Sequence, residues 1–133
     1  MSVDDENDKP PRVKPQITGA PKIRQLFWCD FPKDAQLPEL WKRRPAIIVS
    51  FKNTLSGAVT VIPCSSQDQG TNPWAFKLTT TIDPKASWAI CDKPTTLAVS
   101  RLSPQKGPIP RLPEDEFNAV LALMFKWLPA IPR

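Results

Sequence analysis

Seventeen prolines among 133 residues bar this chain from folding as long helices. A proline lacks an amide donor and its ring collides with the preceding turn, so a helix interior that contains one kinks or ends. An ordinary chain of this length carries about seven. Only four glycines accompany them, which excludes collagen repeats and glycine-rich low complexity. The rest of the composition, 41% hydrophobic and 23% charged, is that of a globular domain. The length suits one such domain and suffices for a substantial core.

The chain contains no histidine. That removes the commonest general base, the serine–histidine and cysteine–histidine nucleophile pairs and most transition-metal sites. Chemistry here must run on carboxylates, lysine, arginine, hydroxyls or thiols. Cys29, Cys64 and Cys91 form no CxxC pair and lie in apolar, strand-like segments. They read as small buried hydrophobes of a reducing, cytoplasmic setting rather than as metal ligands or redox centres. No metal and no cofactor is expected. The amino-terminal stretch is acidic and proline-broken, unlike a signal peptide. The longest uncharged apolar run, Ala119 to Phe125, is too short to span a bilayer.

Charge is unevenly placed. Four acids fall in the first eight residues and three more form Glu114–Asp115–Glu116. Between Lys9 and Leu112, sixteen bases face six acids, a balance of +10. A basic body between acidic ends suits a polyanion such as nucleic acid, or is simply a lysine-rich soluble surface. Residues 1–21 are polar and proline-rich and are expected to form a disordered arm. Its acids, Asp4, Asp5, Glu6 and Asp8, are candidates to fold back over the basic body as an internal mask.

Residues 22–133 are expected to be the folded domain. Ile23 to Phe31 reads as a strand closed by Pro32. A polar loop follows to Arg44, and Pro45 to Phe51 has the β-branched run of a buried strand. Turn residues at Asn53 to Gly57 lead into Ala58 to Cys64, so the two strands form a hairpin. Shorter strands are predicted at Trp74–Thr79, Ala86–Cys91 and Thr95–Leu102. Strands at this spacing indicate a small barrel or a strongly bent sheet. The period then changes: Phe117, Val120, Leu121, Met124, Trp127 and Leu128 share one helical face. Pro113 and the acids after it suit that helix's start, and Pro129 its end. The fold class is therefore mainly β with a carboxy-terminal α-helix.

Three polar clusters end strands. Lys42-Arg43-Arg44 offers guanidinium forks that match phosphate, or is a solvated basic loop. Cys64-Ser65-Ser66-Gln67 places two hydroxyls after a strand, as phosphate donors or as strand caps. Cys91-Asp92-Lys93-Pro94-Thr95 pairs a potential base with a cation, or is an ordinary turn before proline. Trp74 and Phe76 lie two apart on one strand face, suited to base stacking or to core packing.

In their order these segments resemble the MazF/PemK/Kid toxins of bacterial type II toxin–antitoxin pairs. Arg44-Pro45-Ala46-Ile47-Ile48-Val49-Ser50 resembles that family's arginine–proline strand. Pro63-Cys64-Ser65 resembles its proline-x-threonine/serine turn, and Cys91-Asp92-Lys93-Pro94-Thr95-Thr96 its CDQPRT segment. The resemblance spans about residues 22 to 128 and implies a small SH3-like barrel shared with the gyrase poison CcdB. It further implies a homodimer, a cognate antitoxin and a metal-independent endoribonuclease acting on single-stranded mRNA. Such an enzyme leaves 2′,3′-cyclic phosphate and 5′-hydroxyl ends. On this resemblance Arg44 stabilises the phosphorane, Ser65 holds the scissile phosphate and Asp92 is the base. Arg43, Ser66, Gln67, Trp74, Phe76, Lys93 and Thr95 would line the RNA groove. Ile90 stands where the Kid branch has arginine, and Pro38 near where it has a loop histidine, which leaves Lys93 as a substitute acid. Two other readings compete: a non-hydrolytic, CcdB-like poison or binding module acting through its helix, and an SH3-like reader of proline-rich peptides.

Overall fold

Alternation of apolar residues builds the sheet around two separate cores. The computed structural model describes residues 8–82 and 84–132. Its strands are β1 (Leu26–Asp30), β2 (Arg43–Ile48), β3 (Ala58–Ser65), β4 (Ala75–Leu78), β5 (Ser87–Ile90), β6 (Thr95–Ala98) and β7 (Leu102–Ser103). A 3-10 turn, Val99–Arg101, joins β6 to β7, and α1 (Glu114–Trp127) closes the chain. The pairings are antiparallel, and the sheet runs β4-β5-β3-β2-β1-β7 with β6 also on β3.

Odd and even positions divide cleanly. Phe27, Cys29, Ala46, Ile48, Val59 and Val61 face one core, together with Leu97, Val99 and Leu102. Leu26, Ile47, Ile62 and Cys64 face the other, where they meet Leu78, Ala89, Phe117, Val120 and Met124. This period of two is what a sheet buried on both faces requires. Leu97 of β6 and Leu102 of β7 come from opposite flanks of the sheet yet meet in the first core, so the sheet curls around it. The sheet path ends at β4 and β7, so the expected barrel is an open one.

The hairpin, the short strands and the helix lie where the pattern predicts them. Two segments differ: the strand expected to run to Phe51 ends at Ile48 and leaves Phe51 exposed, and Thr95–Leu102 is not a single strand. β6 ends at Ala98 because the chain must cross from the flank of β3 to the flank of β1. The turn makes that crossing with Val99 fully buried and its amide donating to the Gly57 carbonyl at 3.0 Å. The helix follows Pro113, which takes the capping position, with Glu114, Asp115 and Glu116 in the first turn where the macrodipole favours acids. Glu116 is buried and accepts the Thr79 amide at 2.8 Å, pinning α1 to the end of β4. The predicted apolar stripe is buried only through Met124. Trp127 and Leu128 remain 50% and 42% exposed.

Of the amino-terminal segment, residues 1–7 lie outside those described, and with them Asp4, Asp5 and Glu6 of the proposed mask. Residues 9–21 hold no regular structure but carry two buried anchors. Ile17 enters the first core, and Pro21 is buried where its carbonyl accepts a hydrogen bond from Asn53 Nδ2 at 2.9 Å.

The three thiols are free and buried. Burial pushes each from 9.0 up to about 12, because the thiolate would lose its hydration. Since the folded value is the higher one, the stability held by neutral thiols is complete below pH 9. It is lost as the pH rises toward 12. The urea midpoint is therefore expected to fall above pH 9, more steeply in the wild type than in Cys64→Ala. A thiol reagent at pH 8 should label the native chain far more slowly than the urea-unfolded one.

Candidate active site

The β2–β3 ladder sets the site. Its register pairs Ala46 with Pro63 and Ile48 with Val61. The ladder ends at Ala46–Pro63, with Arg44 two residues beyond it on β2 and Ser65 two residues beyond it on β3, at the same end of the two strands. Both have the parity of the first core, at the end where that core meets solvent. Arg44 is half-buried, and its Nε donates to the Trp41 carbonyl at 2.8 Å. That bond fixes the plane of the guanidinium and leaves its terminal nitrogens as a fork. Burial lowers the Arg44 guanidinium from its ordinary value, the direction a proton donor requires. Ser65 is buried, and its Oγ accepts the Gln67 amide at 3.2 Å in a tight turn. Ser66 and Gln67 are exposed beyond it.

Asp92 reaches the same edge by another route. β5 and β6 both pair with β3, at Cys64↔Ala89 and Val61↔Thr95, so the turn between them is held along the flank of β3. Lys93 donates its amide to the Ile90 carbonyl at 3.2 Å, and Cys91 donates to the Trp74 carbonyl at 2.9 Å. The Lys93 ammonium lies 3.8 Å from Asp92 Oδ2. Asp92 Oδ1 is buried and has no hydrogen-bond partner among the described residues. A buried carboxylate oxygen left unpaired is costly, and such atoms concentrate where a ligand completes the bonding.

The groove residues divide. Lys93 and Thr95 line a cavity of about 630 Å³ with Asp34, Gln36 and Glu39 of the loop between β1 and β2. Arg43 stacks over Trp28 at 5.2 Å from the ring centre and donates to Ser103 Oγ at 3.0 Å. Lys42, just before it, adopts a left-handed φ of 64°, a conformation of modest cost that re-aims the chain into β2. Phe76 packs against the second core instead. Trp74 has its backbone beside Cys91, but its ring meets Trp127 edge-on at 5.3 Å, toward the end of the helix. The sequence reading passed over Asp34 and Glu39 as loop polarity. Arg101 Nη1 donates to the Asp30 carbonyl at 3.2 Å beside Arg43 and Lys42.

Comparison with known proteins follows the same lines. The model of the PemK-like, MazF-like toxins of type II toxin–antitoxin systems matches residues 22–127. MazF from Deinococcus radiodurans superposes with a TM-score of 0.68 at 22% identity, over 82% of this chain and 96% of that one. An endoribonuclease from a mycobacterial species, solved in complex with its cognate antitoxin, gives 0.59 at 18% identity, over 84% and 100%. The Mycobacterium tuberculosis toxin MazF-mt6 gives 0.56 at 18% identity, over 78% and 95%. No curated protein matches the chain. At these identities the structures speak for the fold, while the family model spans most of the sequence. The chain belongs to the PemK-like, MazF-like toxins of type II toxin–antitoxin systems.

Proposed function

We propose that this toxin is an endoribonuclease that cleaves single-stranded mRNA without a metal, using the RNA's own 2′-hydroxyl as nucleophile. The observation that carries the reading is the buried, unpaired Asp92 Oδ1 in the turn beside β3, with Arg44 and Ser65 at the same end of the β2–β3 hairpin. Asp92 accepts the 2′-hydroxyl proton as the oxygen attacks phosphorus. The P–O5′ bond then breaks, leaving a 2′,3′-cyclic phosphate on one fragment. The departing 5′-oxygen takes a proton, and Arg44, with its lowered affinity for one, or Lys93 supplies it. The Arg44 fork and the Ser65 hydroxyl stabilise the charge that builds on the phosphorane.

Its partners under this reading are single-stranded RNA, a cognate antitoxin and a second copy of the chain, in the cytoplasm. No helix among the described residues is long and apolar enough to cross a membrane. The test is cleavage of a long mixed-sequence RNA in EDTA. Discrete fragments with 5′-hydroxyl ends support the proposal and reveal the preferred sequence. Intact RNA from folded protein overturns it in favour of a protein poison acting through the exposed Phe125, Trp127 and Leu128. Asp92→Asn keeps the shape but not the base, and is expected to slow cleavage by roughly a hundredfold or more, measured as single-turnover rate.

A further inference from the structure

The family match begins at residue 22, yet residues 9–21 are fastened across the sheet's other end. Arg12 Nη1 donates to the Ser56 carbonyl at 2.9 Å, and Gln16 Nε2 to the Ser100 carbonyl at 3.2 Å. Ile17 and Pro21 are the buried anchors. The strap thus spans the β2–β3 turn and the 3-10 turn and encloses with them a groove of about 720 Å³, floored by Leu55, Gly57 and Ala98. Pro10, Pro11 and Pro15 stiffen it, so a ligand meeting it has little backbone entropy to remove.

Its charge is of one sign. From Lys9 to Cys29 the sequence holds Lys9, Arg12, Lys14, Lys22 and Arg24 and no acid. Lys9, Arg12 and Lys14 are exposed, and none is paired with a carboxylate among the described residues. The candidate active site lies at the far end of β3, about 23 Å from Ala58 to Ser65 at a strand's rise of about 3.3 Å per residue.

We propose that this strap is a second, sequence-independent contact for the phosphates of long single-stranded RNA, remote from the cleavage site. The proposal rests on the reading of the toxin as an RNA-cleaving enzyme. A short oligonucleotide seated at Arg44 ends before the strap, whereas a long strand reaches it. Affinity through the strap is then a matter of charge, chain length and salt, with no influence on which bond is cut.

The experiment compares the full-length wild type with Lys9→Gln/Arg12→Gln/Lys14→Gln. A second variant, Lys9→Gln/Lys14→Gln, leaves the Arg12 bond to Ser56 in place, and thermal melting checks that both are folded. Poly(U) is the long binding probe, and a short oligonucleotide carrying one cleavage sequence is the activity probe. The triple variant should bind poly(U) about tenfold more weakly at low salt. Its slope of log K against log salt should be shallower by about two, at roughly 0.7 per lost single-strand phosphate contact. The double variant should show about two-thirds of that change. Both should cleave the short oligonucleotide at the wild-type rate. An unchanged slope in folded variants, with wild-type cleavage intact, overturns the strap proposal alone. Loss of binding to polyglutamate but not to poly(U) overturns it in favour of an acidic protein partner. Tighter poly(U) binding on neutralising the strap overturns it too. Failure of the wild type to cleave any RNA defeats the underlying reading instead.

Discussion

Arg44→Ala is expected to abolish measurable RNA cleavage, a loss of roughly a hundred- to a thousandfold or more in kcat. The residue sits on β2 just beyond the end of its ladder with β3, with its Nε spent on the Trp41 carbonyl. Its terminal nitrogens are therefore presented together, in the geometry that two phosphoryl oxygens accept. Charge on those oxygens peaks in the phosphorane, so the effect should appear in kcat more than in KM. Arg44→Lys tests the geometry separately from the charge. Lysine has no Nε–H to give Trp41 and no fork, so it should recover little activity despite its positive charge. The side chain is half-buried at a strand end, so both variants should keep near-native melting temperatures. A cleavage rate in Arg44→Ala within threefold of the wild type would remove arginine from the mechanism.

Phe27→Ala is expected to cost about 3–5 kcal/mol of stability, read from urea denaturation at constant slope. Phe27 is 1% exposed in the core that the sheet curls around. Its partner on β2 is Ala46, so no large side chain stands across the ladder to fill the space. Against a typical total of about 5–15 kcal/mol, that loss leaves a marginal fold. Phe51→Ala makes the contrast. Phe51 is 75% exposed in a turn, and its loss should change stability by no more than about 0.5 kcal/mol. A Phe27→Ala variant as stable as the wild type would mean that the first core is not what holds the sheet curved.

Much of the fold was legible locally. Ala46-Ile47-Ile48 and Val59-Thr60-Val61-Ile62 announce buried strands because β-branched side chains suit a pleated surface. The helix announces itself through Phe117, Val120 and Met124 at helical spacing. The break at Val99 was not legible, because nothing in Thr95–Leu102 disfavours a strand. Only the need to reach β1 from β3 bends it. The site was legible as three separate clusters and, through the family resemblance, as one. Asp34 and Glu39 escaped because a loop acid beside the site has the same local sequence signature as one in open solvent.

The sequence by itself determined the class of element at each position and the range of chemistry open to the chain. Propensity, periodicity and proline act over a few residues, and the lack of histidine acts through composition alone. Only the tertiary structure decided which charges and hydroxyls become neighbours. Arg44 and Ser65 lie twenty-one positions apart and come to the same end of the hairpin only through the pairing of β2 with β3. Asp92 is held in a turn beside β3 by two pairings closed from farther along the chain. Tertiary contacts also placed Trp74, whose ring meets Trp127 of the helix, and Phe76, which packs against the second core. Burying rings against that helix gains more free energy than leaving them in a solvated groove, and no local pattern of residues records that competition.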